Sequence, residues 1–354
     1  MRWTIAALVA GVVVLTAPAG SVGAASSPAA CGEVVTTDIK LENDLVCIDT
    51  DGLIVGRDNI TVDLNGHTIE CVAPDGYLGQ CTGAGPLGVI VEDPDPEIGI
   101  DTNGHSNVHV FGSGLFDPDG SGRVNGFDVG VRVIRGSEIN VHNLRISAQQ
   151  AGIAGAPVPA PQSIGILVQE ISCPLPMKSI VHIGGGRSGE NNVSGHNLGL
   201  WLRDADCVSV GWNTFQNARS GLLESHGILL ENSSHNNVHE NGTPTNGDRG
   251  PFDSGITLLG PNTVGNTITA NRVIQNFGDG ISVTRGASGN QIDNNLMLFN
   301  GFELSGTVFF DAADGPTRGN SAAPTNFWNF NNQCLTQTTP NPPPGVCGAD
   351  ELPS

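Results

Sequence analysis

The sequence is poor in aromatic and cationic side chains. Among its 354 residues are one Tyr, three Met and four Trp, and 15 Lys plus Arg face 35 Asp plus Glu. The formal net charge of −20 disfavours nucleic acids and anionic membranes as direct partners. Charged residues make up only 14% of the chain, while Gly is abundant at 49 residues. This composition alone would fit disorder, but regularly spaced β-branched residues predict a folded, strand-rich chain.

The sequence also lacks an apolar run long enough to span a bilayer. The apolar run 5–15 follows Arg2 and precedes small residues at 22–25, which is typical of a signal peptide. We therefore expect residues 1–25 to be a removed leader, and the protein to be secreted, periplasmic or at the cell surface. The eight Cys, an even number, agree with an oxidising compartment.

The segment 255–300 contains one pattern twice. Each copy is a Gly-Ile-x-Leu or Gly-Ile-x-Val strand followed by an Asn-x-Ile-x-x-Asn piece, and the copies start at Gly255 and Gly280. Such a unit is too short for a pair of helices and has too few Leu for a leucine-rich repeat. It predicts one turn of a coiled parallel sheet that stacks on its neighbours.

Equivalent glycines mark earlier coils, which gives about eight coils in all. At about 4.8 Å per coil the rod would be on the order of 40 Å long. We expect an N-terminal cap at 26–51, the coils at 52–310, and a C-terminal cap and tail at 311–354. The earlier starts are Gly52, Gly99, Gly130, Gly165, Gly199 and Gly227.

The repeat also predicts which residues become neighbours. Alternation points Ile256 and Leu258 into the interior, above the equivalent residues of the adjacent coils, such as Ile281. Asn at the corners should form hydrogen-bonded ladders, because Asn tolerates the left-handed backbone that turns require. Cys173 and Cys207 each lie eight residues after their Gly, which predicts a disulfide between successive coils.

Proximity in sequence predicts the remaining disulfides. One would close the N-terminal cap, one would tie a Gly/Pro-rich insertion, and one would lie in the tail. These pairs are Cys31–Cys47, Cys71–Cys81 and Cys334–Cys347.

Together with the entry segment 59–69, Asn-Ile-Thr-Val-Asp-Leu-Asn-Gly-His-Thr-Ile, these units resemble the repeat of the pectate-lyase-like superfamily, and within it the secreted NosD-like proteins. The resemblance covers about residues 31–347. It implies an all-β fold, a single right-handed parallel β-helix with one strand per side of each coil. The function stays open, because this fold carries lyases, hydrolases, epimerases and adhesins.

The resemblance also implies where a ligand would lie, since polysaccharide usually crosses the first strand face and its adjoining loops. Trp201 would stack a sugar ring there, while Arg132 and Arg203 hold a carboxylate beside Asp101. The alternative is that a loop such as 154–162 folds over this face and buries Trp201 with its apolar neighbours.

Acidic and imidazole groups recur near the first strand of several coils. Asp253 lies two residues before its Gly, His226 and Asp279 lie one before, and Asp204 and Asp206 follow the Trp201 strand. Carboxylates on adjacent coils would form an acid/base pair or bind Ca²⁺, although no cofactor is required. The alternative is that these side chains only cap turns.

Known catalytic and metal patterns give little further support. The Asn-Thr-Asp, Asp-Asp, Gly-His-Gly and Arg-x-Lys motifs of polygalacturonases do not occur. Histidines four residues apart, His105 with His109 and His235 with His239, would lie about 13 Å apart on strands and could not share an ion. Copper handling, which the NosD resemblance implies, therefore lacks local support.

Three functions remain. The first is a monomer that binds, and in one version cleaves or epimerises, extracellular polysaccharide or cell-surface glycan. The second is a non-catalytic surface scaffold, and the third is an accessory protein for metal-site assembly.

Overall fold

The computed structural model describes residues 29–72, 81, 96–113, 121–148, 163–173, 180–186, 189–218, 225–246, 253–301, 310–315, 326–329, 331–337 and 347. All strand pairs in these ranges are parallel, and consecutive strands along the chain belong to different sheets. The chain therefore winds through three sheets in turn, as the right-handed parallel β-helix predicted from the repeats. Within the described ranges, no helix has the length and apolar character of a membrane span.

Sheet A is the first side of each coil. It contains ten strands: β1 Glu33–Val35, β4 Leu53–Val55, β7 Ile98–Asp101, β10 Val129–Ile134, β13 Ile164–Ile171, β16 Leu198–Ala205, β19 His226–Glu231, β21 Ser254–Leu259, β24 Asp279–Thr284 and β27 Ala312–Ala313. The first and last of these strands lie in the segments predicted as caps, so the sheet extends beyond the eight coils that begin with Gly.

Sheet B is the second side. Its strands are β2 Ile39–Lys40, β5 Ile60–Asp63, β8 Val108–Phe111, β11 Ile139–His142, β14 Val181–Ile183, β17 Val208–Gly211, β20 Asn237–His239, β22 Thr267–Thr269, β25 Gln291–Asp293 and β28 Phe327–Trp328.

Sheet C is the third side, in two parts. The first has β3 Leu45–Ile48, β6 Thr68–Val72, β9 Gly122–Asn125, β12 Leu144–Ser147, β15 Asn192–Ser194 and β18 Thr214–Gln216; the second has β23 Arg272–Ile274, β26 Leu296–Leu298 and β29 Gln333–Cys334. Single bridges through Gly242 connect the two parts.

Aliphatic columns fill the interior. Ile228, Ile256 and Ile281 pair in register on adjacent coils, and all three are fully buried. The predicted vertical stacking is therefore confirmed. Each such side chain contributes about 1.5–3 kcal/mol through burial.

The glycine at the start of each coil is needed for close packing. A Cβ at Gly130 would overlap the side chain of Ile146 and the backbone oxygen of Gly165. The Gly position therefore faces the interior, where sheet C approaches sheet A. The residue before it, such as His226 or Asp279, consequently faces outward.

Asparagines form hydrogen-bonded ladders at all three corners, as predicted, but the predicted reason is wrong. The left-handed residue is the one before the ladder Asn, such as Glu240 with a φ of 55° before Asn241. The backbone N–H and the Nδ2 of Asn241 both donate to Oδ1 of Asn271 on the next coil, at 3.0 and 3.1 Å. The same Nδ2 also donates to the carbonyl of Val210 at 2.9 Å. Each Asn therefore satisfies corner backbone groups and links two coils. The ladders are Asn236–Asn266–Asn290–Asn326, Asn191–Asn213–Asn241–Asn271–Asn295–Asn332 and Asn246–Asn276–Asn300–Asp311.

The disulfides confirm the coil alignment. Cys173 and Cys207 are bonded, with their Cα atoms 5.3 Å apart. The other predicted pairs are also bonded, namely Cys31–Cys47, Cys71–Cys81 and Cys334–Cys347.

Candidate functional site

The outer face of sheet A presents one side chain per coil in a straight row. The strand register aligns the members of this row, which are Asp101, Arg132, Leu167, Trp201, Leu229, Thr257 and Ser282. Three of the four sugar-contacting residues predicted from the sequence, Asp101, Arg132 and Trp201, therefore lie in this row.

Arg132 is already engaged by its neighbour in the row. Its Nη2 donates to Oδ2 of Asp101 at 2.7 Å, and its Nε donates to Oδ1 at 3.2 Å. Asp101 is buried and Arg132 is half-buried. A substrate carboxylate would have to compete with this two-pronged ion pair, so Arg132 is a weaker sugar ligand than its position alone implies.

Trp201 lies between an apolar patch and a cation. Its ring packs with a cluster formed by Ile98, Val129, Leu167 and Ile164, and it remains half-exposed. The guanidinium carbon of Arg203 lies 5.2 Å from the Trp201 ring centroid, within the range of a cation–π contact.

The predicted alternative, in which loop 154–162 covers this face, concerns residues outside the described ranges. Leu167 and Leu229 are buried, at 7% and 5% exposure. The Nε1 of Trp201 is also buried and has no hydrogen-bond partner among the described residues. The middle of the row is therefore closed to a ligand, and only the outer part of the Trp201 ring is open.

A second row on sheet A is more accessible. We call it the open strip: it lies toward the C-terminal ends of the strands, and all its members are half-exposed. They are Ile134, Gln169, Arg203, Glu231, Leu259 and Thr284. Trp201 borders this strip beside Arg203.

An ion pair lies beside the open strip, in the turns that follow β10 and β13. Arg135 donates a hydrogen bond from Nε to the carboxylate of Glu170. This bond lowers the pKa of Glu170 and raises the pKa of Arg135. The charge of Arg203 also lowers the pKa of Glu170, as a smaller cause. Glu170 therefore lies near both Arg135 and Arg203, and Arg203 is the Arg that belongs to the strip.

The structure separates the predicted acid/base residues into two groups. Asp204 is the penultimate residue of β16 and Asp206 directly follows that strand, whereas His226 and Asp279 begin β19 and β24 and Asp253 directly precedes β21. Leu198, the register partner of His226, precedes Asp204 by six residues, so the groups are about 20 Å apart. They do not form one acid/base centre.

The two acids at the C-terminal end differ in their surroundings. Asp206 accepts hydrogen bonds at 2.7 Å from both the backbone N–H and the hydroxyl of Ser234. Asp204 is exposed and has the left-handed φ of 50° that corners require. Both residues therefore serve the turn between sheets A and B.

The three groups at the N-terminal ends are buried, at 1–3% exposure. Nδ1 of His226 lies 3.0 Å from Oγ1 of Thr257. Asp253 accepts a hydrogen bond from the backbone of Ser225 at 2.8 Å, and Asp279 accepts one from the backbone of Phe310 at 2.9 Å. Each side chain therefore stabilises the adjoining coil.

Sheet B holds a histidine-rich face that sequence reasoning missed. His109, His142, His182 and His239 come from four coils and lie on its outer side. Inspection of single strands could not find them, since each strand contributes one residue. An alignment of the sheet B strands by the same repeat would have placed these histidines on one face. In the part of the chain that the structure describes, no three His, Cys, Asp or Glu residues are placed to hold a metal ion.

Comparison with known proteins agrees with the resemblance seen in the repeats. Residues 177–307 match the sequence model of a family described as periplasmic copper-binding protein (NosD). No curated protein matches the chain significantly.

Solved structures of the periplasmic alginate epimerase AlgG are among the similar structures. One point mutant is 13% identical with a TM-score of 0.40, over 74% of this chain and 57% of that one. The unsubstituted protein is 10% identical with a TM-score of 0.31, over 75% and 72%. A second point mutant is 12% identical with a TM-score of 0.30, over 75% and 69%. The chain thus spans little more than half the length of the first of these structures.

Proposed function

We propose that this chain is an extracytoplasmic β-helix protein that binds an acidic polysaccharide along the open strip of sheet A, without cleaving it. The observation that carries the proposal is the half-exposed Trp201 ring with Arg203 against it at the border of the strip. An indole face packs on the apolar face of a sugar ring, and a guanidinium binds a carboxylate with two hydrogen bonds.

The neighbours of Arg203 in the strip support a polymeric ligand. Gln169 and Glu231 pair with Arg203 on either side, and both are half-exposed. Their amide and carboxylate would accept hydrogen bonds from sugar hydroxyls on adjacent residues of the polymer. The strip runs along the rod axis, so an extended chain would contact one coil after another.

Three observations support a location outside the cytoplasm. The leader-like N-terminus, the four disulfides and the match to a family described as periplasmic all agree with it.

Binding without turnover is favoured by the placement of the acidic residues. Asp253 and Asp279 are buried and accept hydrogen bonds from backbone N–H groups of adjoining coils, and Asp206 accepts two hydrogen bonds from Ser234. These carboxylates are therefore engaged in the structure of the coils. The same observation supports a non-catalytic scaffold. Binding of a polysaccharide is the property that distinguishes the two proposals. Ca²⁺ dependence and a role in copper-site assembly are further proposals, and the latter rests on the family description.

The test is binding of Trp201→Ala to alginate and polygalacturonate, measured by affinity electrophoresis. We expect at least about a tenfold loss of affinity, equivalent to about 1.4 kcal/mol. Trp212→Ala is the matched control, because Trp212 is a half-exposed indole away from sheet A, at the corner between sheets B and C. We expect that variant to bind as the parent protein does.

Equal binding by both variants, or no binding by the parent protein, would refute the proposal. The same samples should be followed for unsaturated uronate absorbance and new reducing ends, with and without Ca²⁺. Turnover there would replace binding alone with lyase or hydrolase activity.

A further inference from the structure

The outer face of sheet B carries four of the nine histidines of the chain. We call this surface the histidine stripe. One row follows the register through β8, β11, β14, β17 and β20, and a second row lies beside it. The first row is His109, Asn140, His182, Ser209 and Asn237; the second contains Phe111, His142, Gly211 and His239.

The stripe is more open than the central row of sheet A. Its His, Asn, Ser and Phe side chains are all half-exposed or exposed. Most of the sheet A row is buried, including Leu167, Leu229 and Thr257. A long ligand could therefore reach the stripe without displacing other parts of the described structure.

No residue of the stripe is Lys, Arg, Asp or Glu, although the chain has a net charge of −20. Fixed charges lie at its two ends, where Asp63 pairs with Phe111 and forms an ion pair with Lys40, and where Glu240 contacts His239. The middle of the stripe therefore offers no fixed charge that would attract an anionic or a cationic polymer. The polar groups that it does offer are imidazoles, amides and a hydroxyl.

The rings of the stripe stand at defined places. Phe111 and His142 are stacked, with centroids 5.3 Å apart and planes 2° apart. A Cβ at Gly211 would overlap the imidazole of His239, so that ring occupies the space above the glycine. Nε2 of His239 lies 3.4 Å from Oγ of Ser209, and its Nδ1 lies 3.1 Å from Oε2 of Glu240.

The protonation state of the stripe matters for its ligand. Burial, and secondly the nearby His109, lower the pKa of His142. A neutral imidazole has one donor and one acceptor, and a side-chain amide has both as well. A sugar hydroxyl also donates and accepts, so it can pair with either group.

From this geometry we propose that the histidine stripe binds a neutral glycan, with the Phe111–His142 stack as a platform for a pyranose ring. Asn140, His182 and Ser209 would bind the hydroxyls of that sugar and its neighbours. The ligand class rests on the proposed function, but the surface is a different one. A metal ion is disfavoured, because no three potential ligands among the described residues converge.

The test measures affinity electrophoresis in gels that contain dextran, laminarin, galactomannan or alginate. We expect retardation by at least one neutral polymer. The double variant Asn140→Ala/His142→Ala should lose about tenfold in affinity for that polymer. Gln291→Ala is the matched control, because Gln291 is an exposed side chain on the same face four coils from His182.

A second measurement guards against misfolding of the double variant. In the parent protein, the imidazole proton resonances of His109, His142 and His182 should shift on titration with the neutral polymer, while that of His235 should not. His235 lies outside the stripe, at the corner between sheets A and B.

The outcomes separate this inference from the proposed function. Neutral binding lost in the double variant and kept in Trp201→Ala supports the stripe. Neutral binding lost in Trp201→Ala alone would overturn it, as would the absence of any neutral binding. Shifts of the same resonances with Zn²⁺ but not with glycan would also overturn it. Loss of alginate binding in Trp201→Ala bears only on the open strip.

Discussion

At the scale of the residue, His196 shows how the repeat controls a titratable group. It lies three residues before its Gly, in the position that Phe127 holds in an earlier coil. Phe127 approaches Gly99, and His196 approaches Gly165 in the same way. His196 is 1% exposed, and neither ring nitrogen has a hydrogen-bond partner within the described ranges. It therefore occupies an aromatic packing site as a neutral ring.

Burial lowers the pKa of His196 from 6.5 to about 3, which makes folding pH-dependent. Below pH 6.5 the unfolded chain binds a proton that the folded chain does not bind. This contribution to stability is complete above pH 6.5 and is lost as the pH falls toward 3. At pH 5 the loss is about 2 kcal/mol.

We therefore predict that lowering the pH from 7 to 5 reduces the free energy of unfolding of the His196→Phe variant by about 2 kcal/mol less than it reduces that of the parent protein. The free energy of unfolding from denaturant titration at the two pH values measures this difference. His235→Phe is the matched control, because it makes the same exchange at an exposed corner position. An unchanged pH dependence in His196→Phe would contradict the explanation.

At the scale of the element, the corner ladders have a direction. Each Asn accepts through Oδ1 from the coil before it and donates through Nδ2. The ladder between sheets C and A ends at Asp311, which is buried. Its Oδ1 accepts from the N–H and the Nδ2 of Asn300, at 3.0 and 2.8 Å. Its Oδ2 accepts from the backbone of Leu335 at 2.9 Å and of Thr336 at 3.1 Å.

Asp311→Asn should destabilise the protein although it matches the rest of the ladder. The new amide nitrogen would face two backbone N–H donors that then lack an acceptor. We expect the free energy of unfolding to fall by about 1–3 kcal/mol, measured by denaturant titration.

The same exchange at Asp293 serves as the control, because Asp293 is half-exposed on sheet B and its Oδ1, although buried, accepts no hydrogen bond from the described residues. If the Asp311 and Asp293 variants are equally stable, the carboxylate of Asp311 is not needed at the end of the ladder.

The elements that the sequence predicted are those whose spacing repeats. Ile256, Ile281 and the corner asparagines recur at fixed offsets, so their neighbours could be named in advance. The engagement of Arg132 by Asp101 could not, because it depends on side-chain rotamers across one pair of coils. The histidine face of sheet B was not predicted, because only the sheet A strands were aligned by the repeat.

At the scale of the whole molecule, each coil contacts its two neighbours, and stability should be close to a sum over coils and their interfaces. The coil 255–279 is a clear test, because its ends are register equivalents: Ser254 pairs with Asp279. Removing these residues joins Ser254 to Gly280, which restores the residue pattern of the start of β24. The corner residues before the cut then meet equivalent partners, since Asn236, Asn241 and Asn246 would stack on Asn290, Asn295 and Asn300.

We predict that the chain without residues 255–279 folds into a rod shorter by about one strand spacing, 4.8 Å. Far-UV circular dichroism should keep its β-sheet form, and unfolding should stay cooperative with a lower free energy, because one interface between coils is lost. Small-angle X-ray scattering measures the length. Removing only residues 255–265 is the control, because that odd-numbered cut joins sheet A to a sheet B sequence and places Thr267 at the inward position of Ile256 and Ile268 at the outward position of Thr257. If both deletions unfold the chain, or both leave it folded, the coil is not the unit of this fold.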